Sequence, residues 1–253
     1  LGGVDSVNGR LVIGYTPSEQ TRVYLAIDSL KSEGDMYAEE RVEYDTEPFT
    51  VNYDYGSAYM AKNFGASLSI DHDFSDGYTL TSITGVRKDS VAIDWDIDGA
   101  SIDGIIVDGY TEQELLSQEF RISGQSEGRY DYVVGLYFLE QENYNEQFDI
   151  LGQDFYPSLA GAFHMTHNVD TSSKAVFAHT NYYLDDEWTL FGGARYTQDD
   201  KSLYAVNTLC ESAYCGSLII GQRIDAPVKI SNGDPSWLLG LRHGFSDDLM
   251  GYV

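Results

Sequence analysis

The sequence predicts an all-β protein: an antiparallel up-and-down transmembrane β-barrel, of which this chain supplies a partial barrel of about ten strands. Three observations indicate this fold class. The 253 residues include 20 Tyr, 11 Phe and 25 Gly but only 5 Pro, a composition typical of β structure. Several segments alternate apolar and polar residues with a period of two. Short and long connections between these segments follow each other in strict order.

The predicted strands are residues 10–16, 22–30, 63–74, 79–95, 115–125, 131–148, 174–184, 189–206, 236–245 and 249 onward. In the third of them, apolar residues recur at even positions from Phe64 to Ile70, with small or polar residues between them. Residues 117–141 read as two strands around a turn at 125–128. Strands of this kind have one apolar face and one wet face.

The lengths of the connections indicate the type of β fold. The short connections are 17–20, 75–78, 126–129, 185–187 and 246–248, and the long polar ones are 31–62, 96–114, 149–173 and 207–235. Outer-membrane barrels have short periplasmic turns and long extracellular loops in this order. The aromatic residues near the short turns are predicted to form an interfacial girdle: Tyr15, Phe74, Tyr78, Tyr130, Tyr132, Tyr183, Trp188 and Phe245. The alternative is that they are ordinary aromatic strand ends.

The charge and the missing motifs exclude several functions. A net charge of −26 and a pI of about 4.2 argue against binding to nucleic acid. The sequence has no serine-hydrolase elbow, zinc-protease helix, P-loop or dinucleotide fingerprint, so we expect no enzyme. The chain begins without a signal-peptide pattern and ends inside a predicted strand. We therefore expect 1–253 to be one partial β-barrel domain from a protein truncated at both ends.

Three stretches resemble the barrel strands of TonB-dependent outer-membrane receptors: YTLTSITGVRKD, LLSQEFRISGQSEGRYDYVVGLYFLEQ and TLFGGARYTQDDKSL. The closing DDLMGYV resembles the start of a later barrel strand. The resemblance spans essentially the whole chain and implies a barrel of about 22 strands with a plugged lumen. It further implies a multi-pass location in the outer membrane of a Gram-negative bacterium. The implied activity is import of a ferric siderophore or another scarce nutrient with energy from the inner-membrane TonB complex.

The family's plug domain, TonB-contacting box and closing strand have no counterpart in this sequence. The chain is therefore expected to supply only barrel wall and extracellular loops. Its expected partners are outer-membrane lipid, a small nutrient ligand such as a metal chelate, and the TonB complex through the missing plug. Two alternatives stay open: a plug-free outer-membrane porin, and a secreted acidic β protein that binds carbohydrate or calcium.

The segment DWDIDGASID contains a partial calcium-loop motif. Asp94, Asp96, Asp98 and Gly99 match its first half, but Ile105 stands where a bidentate glutamate is needed. We interpret the acidic residues as facing the lumen or the mouth, and keep a looser loop-bound calcium site as the alternative. No other cofactor is expected.

Two long loops carry candidate ligand contacts. In residues 146–170 these are Phe155, Tyr156, Phe163, His164 and His167, and in residues 43–60 they are Tyr53, Tyr55 and Tyr59. Aromatic rings could stack on a ligand, and histidines could contact a metal chelate. The alternative is that the loops pack on themselves.

Cys210 and Cys215 are the two cysteines of the chain and lie five positions apart. We predict a local disulfide between them, which implies an oxidising compartment. The alternative is two unpaired thiols.

Overall fold

A computed structural model describes residues 3–36, 50–74, 77–126, 128–154, 161–211, 219–246 and 248–253. The strands are β1 (Val4–Ser18), β2 (Thr21–Asp35), β3 (Ala58–Asp73), β4 (Tyr78–Asp96), β5 (Ile105–Ser126), β6 (Tyr130–Leu151), β7 (Gly161–Tyr183), β8 (Trp188–Cys210), β9 (Ile219–Ser246) and β10 (Leu249–Tyr252). Each strand pairs antiparallel with the next along the chain in a single ten-stranded sheet. The predicted all-β, up-and-down partial barrel is confirmed.

The strand ends agree with the prediction at one end of the sheet only. The short connections follow β1, β3, β5, β7 and β9, as predicted. At the opposite end the strands are longer than predicted, because β5 begins at Ile105 and β7 begins at Gly161. The long connections are therefore shorter than the predicted 31–62, 96–114, 149–173 and 207–235.

Part of a missed strand segment is polar on both faces. In β7, residues 170–173 read DTSS, yet the main chain pairs with β6 and β8 throughout this stretch. Period-two alternation shows a strand only where one face is apolar. Main-chain pairing is present here without that signal, so sequence patterning begins the strand too late.

One face of the sheet, called the apolar face below, carries a continuous band of large hydrophobic side chains. The strand registers place on it Phe64, Leu68, Ile70, Leu80, Val86, Leu116, Phe120, Ile122, Val134, Leu136, Phe138, Val176 and Leu190. Leu136 is 46% exposed although it lies in the middle of a central strand. Within the described part of the chain, no second layer covers this face.

The buried apolar side chains of the described residues are small. They are Ala100, Val107, Ala162, Ala175, Ala205 and Cys210. A core between two sheets, which the secreted-protein alternative requires, is thus not found in the described ranges. No helix in those ranges has the length and hydropathy needed to cross a membrane.

The apolar band gives way to charged side chains on the side of the long connections. Lys88, Glu114, Glu142 and Asp170 lie side by side on the same face just beyond it. In β6 the band runs from Tyr130 to Phe138, and one bilayer crossing takes about 9–11 tilted residues. The band therefore has the height of a bilayer.

Aromatic rings line the other edge of the band, next to the short connections. Phe74 stacks on Tyr78 with ring centroids 4.6 Å apart, and Trp188 stacks on His243 at 4.1 Å. Tyr183 was wrongly assigned to this rim, because its hydroxyl donates to Asp131 Oδ2 on the opposite face at 2.5 Å. Its neighbour Tyr182 occupies the rim position, opposite Tyr130 and Leu190.

The opposite face, called the polar face below, is held by cross-strand ion pairs. Arg22 makes two hydrogen bonds to Asp73, of 2.6 and 3.1 Å. Arg87 Nη2 lies 3.3 Å from Asp28 Oδ2. The two partners bridge over Gly65 on the strand between them, where a Cβ atom would lie 2.7 Å from Arg87 Nη2.

Candidate functional site

The candidate site lies at the end of the sheet that carries the long connections. Three described segments meet there: residues 50–57 before β3, residues 97–104 between β4 and β5, and residues 152–154 after β6. We call these three segments the mouth cluster. Hydrogen bonds join them in series, so the 97–104 segment contacts both of the others.

One side-chain hydrogen bond attaches the first segment of the mouth cluster to the second, and another attaches it to the end of β4. Asn52 Nδ2 donates to Ser101 Oγ at 3.0 Å. The main-chain nitrogen of Asp96, at the end of β4, donates to Ser57 Oγ at 2.9 Å. The segment before β3 is therefore fixed at two points rather than lying free.

Asp103 attaches the second segment of the mouth cluster to the third. Its Oδ2 accepts from the Gln153 main-chain nitrogen at 2.9 Å, and its own main-chain nitrogen donates to Asp154 Oδ2 at 3.0 Å. The Asp154 nitrogen donates to the carbonyl of Asp103 at 3.0 Å. The two aspartates thus cap each other's turns.

Replacing Asp103 with alanine is expected to speed amide hydrogen exchange at Gln153 by about tenfold, because that amide loses a charged acceptor. Exchange measured by mass spectrometry on the detergent-solubilised protein would detect the change. Asp185 caps the amide of Glu187 in a similar way at the other end of the sheet. Asp185→Ala should leave Gln153 unchanged, and equal acceleration in both variants would contradict a local role for Asp103.

A pair of carboxyl groups lies between the first two segments of the mouth cluster. Asp96 is fully buried, and its Oδ1 accepts from the Gly99 amide at 3.1 Å. The Asp54 carboxyl lies within hydrogen-bonding reach of the Asp96 carboxyl. Partial burial, together with the charges of Asp96 and Asp98, raises the pKa of Asp54 above its ordinary value.

The predicted calcium loop is divided by the structure. Asp94 lies within β4, opposite Asp108 of β5. Asp98 lies beyond the end of β4, and its Oδ2 accepts from the Ile105 amide at 2.7 Å. Across the described ranges, no group of three or more His, Cys, Asp or Glu side chains is arranged to hold a metal ion. Calcium binding by Asp94, Asp96 and Asp98 stays a prediction.

The tyrosines predicted as ligand contacts occupy different settings. Tyr53 and Tyr55 are half-buried in the first segment of the mouth cluster. Tyr59 lies within β3, where its hydroxyl is 3.2 Å from Ser32 Oγ on the neighbouring strand. Tyr53 and Tyr55 therefore belong to a connection, whereas Tyr59 belongs to a strand.

Residues 146–170 were predicted to be a loop. Three candidates from this stretch are described by the structure, Phe163, His164 and His167, and all of them lie in the strand β7. His164 stacks on Phe148 with centroids 4.1 Å apart, and its Nε2 lies 2.8 Å from Glu146 Oε1. Phe163 and His167 point to the other side of the strand, which is the polar face. Phe163 is 44% exposed, so it has surface to offer a ligand.

Three predicted site residues lie outside the described residues: Phe155, Tyr156 and Cys215. Cys210 is fully buried at the end of β8 and is disulfide-bonded.

Sequence reasoning missed the residues that join the connections. Asn52 and Asp54 stand in a tyrosine-rich stretch, and Asp103 stands among other acidic residues. A local pattern cannot show that one loop contacts another. The available signal was weak: aspartate and asparagine beside glycine and serine often cap turns.

A ten-stranded meander with one apolar face, an aromatic rim and long connections at the opposite end defines a section of an antiparallel β-barrel wall. The family model described as "TonB dependent receptor-like, beta-barrel" matches residues 4–253. The chain belongs to this family. Its members are outer-membrane receptors and transporters of Gram-negative bacteria rather than enzymes.

Solved structures with the same fold include three receptors. The ferric yersiniabactin uptake receptor FyuA from Yersinia pestis has a TM-score of 0.80 and 15% identity, and the match covers 100% of this chain and 37% of FyuA. The open form of the ferric-catecholate import receptor Fiu from E. coli K12 has a TM-score of 0.69 and 12% identity, and the match covers 99% of this chain and 46% of Fiu. The copper transporter OprC has a TM-score of 0.67 and 14% identity, and the match covers 96% of this chain and 35% of OprC.

The chain spans less than half the length of each of these three receptors. At such identities the likeness shows the shared fold alone. None of the curated proteins compared with the chain matches it in sequence.

Proposed function

We propose that this chain forms part of the wall and extracellular mouth of an outer-membrane receptor that imports a scarce metal complex, of the ferric siderophore class, with energy from the inner-membrane TonB complex. Membership of the receptor family carries the proposal. The apolar band supports the membrane location, because hydrophobic side chains that no other layer of the described ranges covers need lipid around them. The charged edge beyond Phe138 then lies outside the bilayer.

The class of ligand rests on the fold neighbours and on the charge of the mouth. FyuA and Fiu are named for ferric complexes and OprC for copper, so a metal complex is the common element. Carboxylates gather in the mouth cluster, where Asp54, Asp96, Asp98, Asp103 and Asp154 all lie at or beside the connections. Their field favours a complex that is neutral or positively charged over a strongly anionic one.

Within the chain, we assign ligand contact to Phe163 and His167 on the polar face and to Tyr53 and Tyr55 in the mouth cluster. Phe163 supports this assignment best, because it is a large aromatic side chain on the polar face and is left 44% exposed. Ring faces stack on planar or aromatic chelators.

The test is uptake of iron-55-labelled siderophores by cells that carry the intact receptor, with and without a functional TonB complex. We expect at least one ferric siderophore to accumulate in the presence of TonB and to stay at background without it. Accumulation that does not depend on TonB would contradict the proposal and favour the porin alternative. Background uptake of every ferric siderophore tested, with and without TonB, would contradict the ligand class.

A variant links the uptake to this chain. Phe163→Ala is expected to weaken binding of the transported complex by about tenfold, the loss of roughly one stacking contact. Tyr204 is also an exposed aromatic residue near the mouth, but it lies on the other face of the sheet. Tyr204→Ala should leave affinity unchanged, and equal losses in the two variants would remove Phe163 from the binding site.

A further inference from the structure

One carboxyl oxygen of Asp96, beside the mouth cluster, is buried without a hydrogen-bond partner. Asp96 is fully buried, and of its two carboxyl oxygens Oδ1 accepts from the Gly99 amide while Oδ2 has no hydrogen-bond donor. Gly99 has φ of 61°, in the left-handed region that glycine tolerates, and this conformation turns its amide toward Asp96. A buried carboxylate oxygen without a donor is costly and requires a partner.

A second carboxyl group, that of Asp54, lies beside the Asp96 carboxyl. Asp54, which is exposed to solvent on one side, lies within hydrogen-bonding reach of Asp96, and Asp98 is close enough for its charge to act on Asp54. Two ionised carboxylates in contact repel each other unless a proton or a cation lies between them. Asp98 adds a further negative charge, which favours the cation.

We propose that Asp54 and Asp96 bind a hard divalent cation, calcium, that joins the 50–57 segment to the end of β4. Because no three His, Cys, Asp or Glu side chains of the described ranges are arranged to hold a metal ion together, main-chain oxygens and water complete the coordination shell. Calcium accepts such mixed oxygen ligands and flexible geometry. With two carboxylate ligands, the affinity falls in the extracellular range, a Kd of about 0.1–1 mM.

This site differs from the sequence motif in its ligands. The motif uses Asp94, Asp96 and Asp98, which are consecutive alternate residues. In the structure Asp94 is paired within the β4–β5 ladder, and the second ligand comes instead from a different connection, at Asp54. The cation therefore joins a connection to the end of a strand rather than folding one loop. The proposal does not depend on which nutrient the receptor imports.

Terbium luminescence tests the site directly, because terbium replaces calcium and is excited by a nearby tryptophan. Trp95 lies between Asp94 and Asp96 in the sequence. The intact receptor, purified in detergent, is titrated with terbium, and calcium is then added as the competitor. We expect a luminescent site that calcium displaces at about 0.1–1 mM.

Three variants decide the assignment. Asp54→Asn and Asp96→Asn are each expected to weaken terbium and calcium binding at least tenfold, and Asp94→Asn, the matched control, should leave binding unchanged. Asp54 lies in an exposed segment, so its variant keeps the test valid even if Asp96→Asn does not fold. Equal losses for Asp94→Asn and Asp54→Asn would support the sequence motif and overturn the proposal. Binding that no variant changes would also overturn it.

A proton shared between the two carboxyl groups predicts a different result. In that case Asp54→Asn would raise the thermal stability of the calcium-free receptor, because the amide donates the missing hydrogen bond, and calcium would leave the melting temperature of the original protein unchanged. That outcome would overturn the proposal. The proposed site predicts the opposite: calcium raises the melting temperature of the original protein and of Asp94→Asn, but not that of Asp54→Asn.

Discussion

Replacing Leu136 with arginine is expected to lower the free energy of unfolding in a lipid bilayer by about 2–4 kcal/mol, the cost of arginine on the lipid side of a barrel near the bilayer centre. Leu136 lies midway along the apolar part of β6 and is 46% exposed. If that face contacts lipid, the guanidinium must leave water or deform the bilayer around it.

Glu142 provides the matched control for this prediction. It lies on the same strand and the same face as Leu136, but beyond the charged edge of the band, between Glu114 and Asp170. Glu142→Arg should change the free energy by no more than about 0.5 kcal/mol, as surface substitutions usually do. Guanidinium titration of the receptor in lipid vesicles measures both variants. Equal effects would mean that the apolar face does not contact lipid.

Replacing Gly135 with alanine is expected to destabilise the protein by about 1–3 kcal/mol, the usual cost of overpacking. The ring of Phe177 lies against Gly135 on the polar face, and an added Cβ atom would meet its Cζ atom. The same Cβ would lie 2.9 Å from the main-chain oxygen of Phe120, which cannot move alone. Displacing the ring also removes its contact with Arg195, whose Cζ lies 5.7 Å from the ring centroid.

Gly192 is the control glycine for this substitution. Its nearest neighbours would be Leu238 O at 3.4 Å and Leu239 Cδ1 at 3.6 Å from an added Cβ, which is ordinary contact. Gly192→Ala should therefore unfold at nearly the same denaturant concentration as the original protein. If Gly135→Ala did so too, Phe177 would not be packed on the glycine as described.

The parts of the fold that the sequence predicts well are those next to the short turns. There the apolar band gives each strand its period-two pattern, and the turn SEGR places Gly128 at a φ of 70°, which glycine favours. The prediction fails where both faces are polar, as in residues 170–173 of β7, because pairing of the main chain leaves no mark on side-chain polarity. Tyr183 shows a third limit, because shifting a strand register by one residue exchanges its two faces.

The candidate site was predictable only in part. The acidic stretch around Asp96 and the aromatic residue Phe163 carry local signals of binding chemistry. Asp54 and Asp103 take their roles from contacts between separate connections, and sequence spacing within one connection contains no information about these. His164 looked like a free ligand, but the strand pairing places it against Phe148 and Glu146.

The continuity of the strand registers has a mechanical consequence. From β2 to β8 the hydrogen-bonded ladders run without a break, and the first interruption on the β8–β9 side lies between Leu203 and Ala205. A sheet with an unbroken ladder resists shear between its strands, whereas a bulge lets it bend. The seven strands from β2 to β8 therefore form one rigid unit of the sheet. Bending of the sheet is therefore expected at the β8–β9 bulge rather than between β2 and β8.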